Sequence, residues 1–147
     1  MNSEYIFVYG TLRRTTKSGM YQLLAKYAEF VDNATCIGKL FRVGYYPGMV
    51  PSNNSRDIVY GEVYCLQHTD IALPLLDQYE EFGLGFPEPN EYSRQQQNVF
   101  LRNGNSITAW AYIYNHPTEG LERIESGDFL KVQRIDSIAL TLPVMEC

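Results

Sequence analysis

The sequence predicts an α+β fold built on a curled, mixed or largely antiparallel sheet. Short runs of aromatic and β-branched residues recur along the chain and stop at Gly, Pro or Asn, the punctuation of half-buried strands. Only two stretches carry apolar residues at helical spacing,. The order is mostly strands with those two helices interposed, which is an α+β pattern.

Tyr5–Tyr9 is the first strand, closed by Gly10,. Thr11–Ser18 is polar and basic and reads as a loop. Ser18 then caps a helix whose Met20, Leu23, Leu24, Tyr27 and Ala28 fall at i, i+3, i+4, i+7 and i+8,. Cys36–Val43 is a strand, and Pro47-Gly48 inside Gly44–Gly48 predicts a tight turn,. Ser52–Asp57 is a polar loop before the strand Ile58–Leu66. Ala72, Leu75, Leu76 and Tyr79 give a second helical stripe. Pro74 fits a helix best in the first turn, which predicts a helix over Leu73–Glu80,. Phe82–Asn90, with two Gly and two Pro, is irregular. Gln95–Arg102 and Ile107–Tyr114 are strands joined by the hairpin signal Asn103-Gly104-Asn105,. Gly120–Ser126 reads as a short helical or turn segment and Val132–Leu142 as an extended end.

A length of 147 residues without a linker or repeat predicts one domain, 1–147,. The 45% hydrophobic share is enough for a core, and 12 Tyr against one Trp suit half-buried strands and pocket walls,. A formal charge of −5 argues against nucleic acid as a partner,; the local cluster Arg13, Arg14 and Lys17 reads as a solvated loop,. Cys36, Cys65 and Cys147 are widely spaced and two histidines, His68 and His116, are too few for a metal cluster,. This cysteine usage, with no signal-peptide pattern and no apolar run of ~20 residues, predicts a cytoplasmic protein that does not span a membrane,.

Three features are suited to chemistry. Val8-Tyr9-Gly10-Thr11-Leu12 is a strand feeding a glycine turn, whose backbone N–H groups can meet a carboxylate or oxyanion; it is also an ordinary strand end,. Leu76-Asp77-Gln78-Tyr79-Glu80-Glu81 sets carboxylates at a helix C-terminus, where the dipole and any desolvation raise a carboxyl pKa towards that of a general base,. Glu80 lies one turn after Leu76, whereas Glu81 falls on the side of Asp77 and Gln78, so Glu80 is the one to point inward,. All three acids also fit a solvated helix end. Tyr46, Pro47 and Gly48 with Tyr92, Tyr112 and Tyr114 can wall a pocket, or simply pack a sheet,. The chain holds neither a GxSxG elbow nor a phosphate-binding GxxxxGK[ST] loop,.

In this order the segments resemble the γ-glutamylcyclotransferase-like family. Val8–Leu12 is similar to its YG(S/T)L signature, Tyr46–Val50 to its YPxxV turn and Tyr60–Tyr64 to its GEVY strand. Leu76–Glu80 resembles the LDxxE segment with the catalytic glutamate, Tyr92-Ser93-Arg94 the YxR that follows, Ala109–Tyr114 the aromatic strand and Gly127-Asp128-Phe129 the late GDF turn. The resemblance spans about residues 5–130 and implies a small mixed β-barrel with flanking helices and one pocket. It departs from the family pattern at Glu81, which stands where Gly is usual, and in a longer segment before Tyr92.

The resemblance implies an enzyme acting on a small γ-glutamyl molecule without metal or cofactor. The substrate's α-amine would attack its own γ-carbonyl, closing 5-oxoproline and releasing an amine, with Glu80 as base and then acid. Tyr9, Gly10, Thr11 and Leu12 would bind the α-carboxylate or oxyanion, and Tyr46, Pro47, Gly48, Tyr112 and Tyr114 would line the site. A non-catalytic binder of a small polar ligand and a protein-interaction domain stay open as alternatives. Sequence leaves the leaving amine and the oligomeric state open.

Overall fold

Alternation along the strands puts Phe7 and Tyr9 on one face and Ile6 and Val8 on the other, and both faces of that segment are buried,. The computed structural model describes residues 4–10, 25–44, 46–79, 83, 85 and 89–129. These contain strands β1 (Glu4–Val8), β2 (Ala28–Val43), β3 (Tyr46–Pro51), β4 (Ile58–Leu66), β5 (Tyr92–Leu101) and β6 (Ser106–Tyr114), with helix α1 (Thr69–Tyr79) between β4 and β5.

Five of the strands close on themselves. Antiparallel pairings run from β1 to β4, β4 to β2, β2 to β5 and β5 to β6, and a parallel pairing of Ile6 with Trp110 closes β6 on β1. β3 lies outside this ring, antiparallel to the far half of β2 and touching β6 at Met49–Ile113. The predicted small mixed barrel is therefore present, and of the flanking helices expected with it α1 lies among the described residues. Closure pairs backbone groups that an open sheet would leave at its edges. Phe7, Tyr9, Cys36, Leu40, Val63 and Val99 fill the interior together with Phe129. Ala72, Leu73 and Leu76 of α1 cover Ile6, Val8, Tyr64 and Tyr112 on the outside, which explains why β1 is apolar on both faces.

Several boundaries differ from the sequence expectation. Residues 25–27 are helical, but Ala28 begins β2, which is twice the predicted strand. The rest of that predicted helix lies outside the described residues, as does the extended end 132–142. The expected turn at Pro47-Gly48 is absent: the chain reverses at Gly44, with φ of 66°, and Pro47-Gly48 belong to β3. Pro47 is tolerated there because β3 pairs continuously on one side only,. α1 starts at Thr69, four residues earlier than predicted, and carries Pro74 as its sixth residue. Burial of Leu73 and Leu76 outweighs the backbone bond that Pro74 cannot make,. β5 likewise begins three residues early, at Tyr92. Gly120–Ser126 is a turn with an isolated bridge from Arg123 to Phe41, not a helix.

Candidate active site

Tertiary pairing brings one line of side chains together on the outer face of the barrel. Because β1 and β6 are parallel with Ile6 opposite Trp110, Val8 comes opposite Tyr112 two residues later. Val8 also pairs with Glu62 and Tyr112 with Arg94. Glu62, Val8, Tyr112 and Arg94 thus cross four neighbouring strands, each about 4.8 Å from the next. The last turn of α1 lies against this line. Asp77 Oδ1 accepts from Arg94 Nε at 2.7 Å and from Tyr112 Oη at 2.7 Å, and Oδ2 accepts from Arg94 Nη2 at 3.1 Å. Asp77 is therefore not part of a solvated acidic helix end. Burial works against the charge of Arg94, but the hydrogen bonds to Asp77 and its negative charge outweigh this and hold the guanidinium above its usual pKa,. The same guanidinium stacks 4.5 Å from the Trp110 ring centre, and Trp110 Nε1 donates to Glu4 at 2.7 Å,.

The tyrosine and glycine residues assemble beside this line, by contacts that differ in kind. Tyr9 points into the barrel, where its hydroxyl donates to the Tyr112 carbonyl and accepts from Met49 N at 3.1 Å. Its side chain fixes the end of β1, and only its backbone faces the glycine turn. Gly10 abuts the Pro47 ring so closely that a Cβ would sit 2.9 Å from Pro47 Cγ. Gly48 packs under Tyr114, again 2.9 Å from where a Cβ would be, so both glycines are required by close approach. Tyr92 donates to the Pro47 carbonyl at 2.7 Å and meets Tyr114 edge-on at 5.6 Å. Desolvation, with Glu91 nearby, keeps the Tyr114 hydroxyl protonated by raising its pKa. Tyr46 is exposed at the rim and donates to the Glu91 carboxylate. Thr11, Leu12 and Glu80 lie outside the described residues.

The sequence reading missed Asp77, Arg94 and Glu62 as site residues. Glu62 is only 2% exposed and accepts from Tyr64 Oη at 3.0 Å. A signal for the first two was available: an acid in a last helical turn without a basic neighbour needs a cation from elsewhere,. Arg94 follows buried Tyr92 by two residues, on the same face of its strand. Cys36 is buried, which pushes its thiol up to about 11 and makes it a core residue,. Among the described residues no group of His, Cys, Asp or Glu could hold a metal, and no helix is long and apolar enough to cross a membrane.

A family model described as gamma-glutamyl cyclotransferase, AIG2-like, matches residues 6–131. The chain belongs to this family. Among its relatives is the gamma-glutamylcyclotransferase family protein YtfP of Escherichia coli K12, 36% identical over 129 residues that cover 85% of this chain and 95% of that protein. The crystal structure of YkqA from Bacillus subtilis superposes with a TM-score of 0.70 at 27% identity, covering 97% of this chain and 45% of that one. An AIG2-like protein from Mus musculus gives a TM-score of 0.66 at 23% identity, covering 85% and 88% of the two chains, a likeness of fold. The cyclotransferase-like barrel is thus a fold this chain shares with these relatives.

Proposed function

We propose that the protein is a cyclotransferase that converts a γ-glutamyl amine or γ-glutamyl peptide into 5-oxoproline and a free amine. The observation that carries this reading is a convergence. The end of β1, which leads through Gly10 to Thr11 and Leu12, and the end of α1, which leads to Glu80, meet the same line of the sheet at Val8 and Tyr112. In this reading the backbone donors that follow Gly10 and the carboxylate of Glu80 supply the two parts an intramolecular aminolysis needs.

In this reading the γ-glutamyl group is folded back so that its α-nitrogen faces its own γ-carbonyl. An α-ammonium with a pKa near ~8 must first lose a proton, and Glu80 takes it. The α-nitrogen attacks, the new C–N bond closes the ring, and negative charge collects on the former carbonyl oxygen. Backbone N–H groups of the Tyr9–Leu12 turn stabilise that oxyanion or bind the α-carboxylate. Collapse breaks the bond to the leaving nitrogen. Two protons leave the α-nitrogen in all and two arrive on the departing amine, and Glu80 carries them in turn. Pro47, Gly48, Tyr46, Tyr112 and Tyr114 line the approach. The small size of the γ-glutamyl half makes the amine half the variable part of the substrate.

The test is release of 5-oxoproline from a panel of γ-glutamyl amines and dipeptides by wild type and Glu80→Gln. Wild type is expected to turn over at least one member and Glu80→Gln to lose at least about 1,000-fold in kcat with its fold intact. Activity surviving in Glu80→Gln would sink the assignment.

A further inference from the structure

Asp77 occupies a costly position. It stands in the last turn of α1, where the helix dipole disfavours an anion,, yet its carboxylate takes three hydrogen bonds from two neighbouring strands. Arg94 meets it with the two-pronged geometry that fixes direction as well as distance,. That guanidinium is seated on Trp110, itself tied to Glu4 of β1. Tyr112 adds the third bond while its carbonyl holds Tyr9, the residue before the glycine turn. One connected set of contacts therefore runs from the end of α1, through β5 and β6, to the end of β1.

We infer that Asp77, Arg94 and Tyr112 form a positioning clamp that sets the chain leaving α1 against the chain leaving β1. The inference rests on Glu80 being the base, as proposed above. Three Cα steps separate Asp77 from Glu80, at most about 11 Å, so a change in the direction of the last turn is passed on to that carboxylate. Asp77 and Arg94 are positioning residues; neither needs to touch substrate. Breaking a pair whose side chains are only 18% and 19% exposed costs stability, because one charge is left largely buried without its partner,, but stability by itself does not set kcat per folded molecule. The clamp matters instead because a displacement of about 1 Å at a reacting group can cost about 100-fold in rate.

The test compares wild type with Asp77→Asn, Arg94→Met and Arg94→Lys, using Asp57→Asn as a control. Asp57 makes a similar pair with Arg123 in the loop before β4. Steady-state kinetics, the pH dependence of kcat and hydrogen–deuterium exchange of residues 80–88 are measured on each. Asp77→Asn and Arg94→Met are expected to lose about 100-fold in kcat with KM within about threefold. Their acidic pH limb shifts and exchange in 80–88 speeds up. Arg94→Lys, which keeps the charge without the fork, recovers about tenfold. Asp57→Asn loses thermal stability and keeps kcat per folded molecule. Clamp variants whose kcat per folded molecule and exchange both match wild type would overturn the inference, and Arg94→Lys supplies that reading if a harsher variant does not fold. A wild type inactive on the whole panel overturns the reaction instead. Exchange then decides the clamp by itself: faster exchange in Asp77→Asn upholds it and unchanged exchange overturns it.

Discussion

Tyr9 combines two jobs that pull its side chain and its backbone in opposite directions. Its ring fills the barrel and its hydroxyl joins Met49 N to the Tyr112 carbonyl, while the next residue begins the glycine turn. Tyr9→Phe keeps the ring and removes both contacts, leaving buried backbone groups without that partner. It is expected to cost about 2 kcal/mol, read as a fall in the urea midpoint at unchanged slope. The sequence reading expects Tyr9 to bind through its backbone along with its neighbours, and leaves open which way its ring points. Alternation along the strand decides which face a side chain takes, and which face is interior depends on closure of the ring.

α1 was legible as a helix because Ala72, Leu75, Leu76 and Tyr79 recur at helical spacing,, and Ala72 and Leu76 of that stripe are buried together with Leu73. Its start was not, since Pro74 argued for a later first turn. His68, at φ of 52°, instead turns the chain early, and its carbonyl accepts from Ile71 and Ala72. Pro74 then sits where a backbone donor would face the Asp70 carbonyl, and its ring is exposed. Pro74→Ala restores that donor without opening a cavity. After allowance for the looser unfolded chain, it is expected to stabilise by about 1–2 kcal/mol, measured as a higher Tm. An unchanged or lower Tm would mean that Pro74 holds a bend the helix needs. The turn misread at Pro47-Gly48 has a similar cause. Pro-Gly suits a turn locally, but Gly48 is demanded by the approach of Tyr114, a residue 66 positions away.

The whole barrel is closed at its far end by the segment after β6. Ile124 N donates to the Leu40 carbonyl and Tyr60 N to the Gly127 carbonyl. Arg123 Nη2 reaches Asp57 at 2.7 Å, and Ser52 donates to the same carboxylate at 2.6 Å. The Ser52 hydrogen bond, then that of Arg123, hold the Asp57 carboxyl below the usual carboxylate range. Its folded pKa is thus lower than its unfolded one, so its contribution is fully present above about pH 4 and is lost as pH falls further. The stability gap between wild type and Asp57→Asn should be constant from about pH 7 to 5 and narrow below about pH 4 in denaturation midpoints. A gap that does not narrow in acid would show that Asp57 acts there without its charge.

By itself the sequence determined the strand-rich class, the helical stripe of α1, the aromatic strand Ile107–Tyr114 and the segments on which a site could stand. Each of these depends on local periodicity or on residue types in a fixed order. Only the tertiary structure decided that β1 closes on β6, that Asp77 faces the sheet rather than solvent, and that Glu62 is buried in line with Tyr112. Those facts depend on pairings between residues tens of positions apart: the helix end at Asp77 signals that a cation is needed, but nothing local to it says which residue supplies one,.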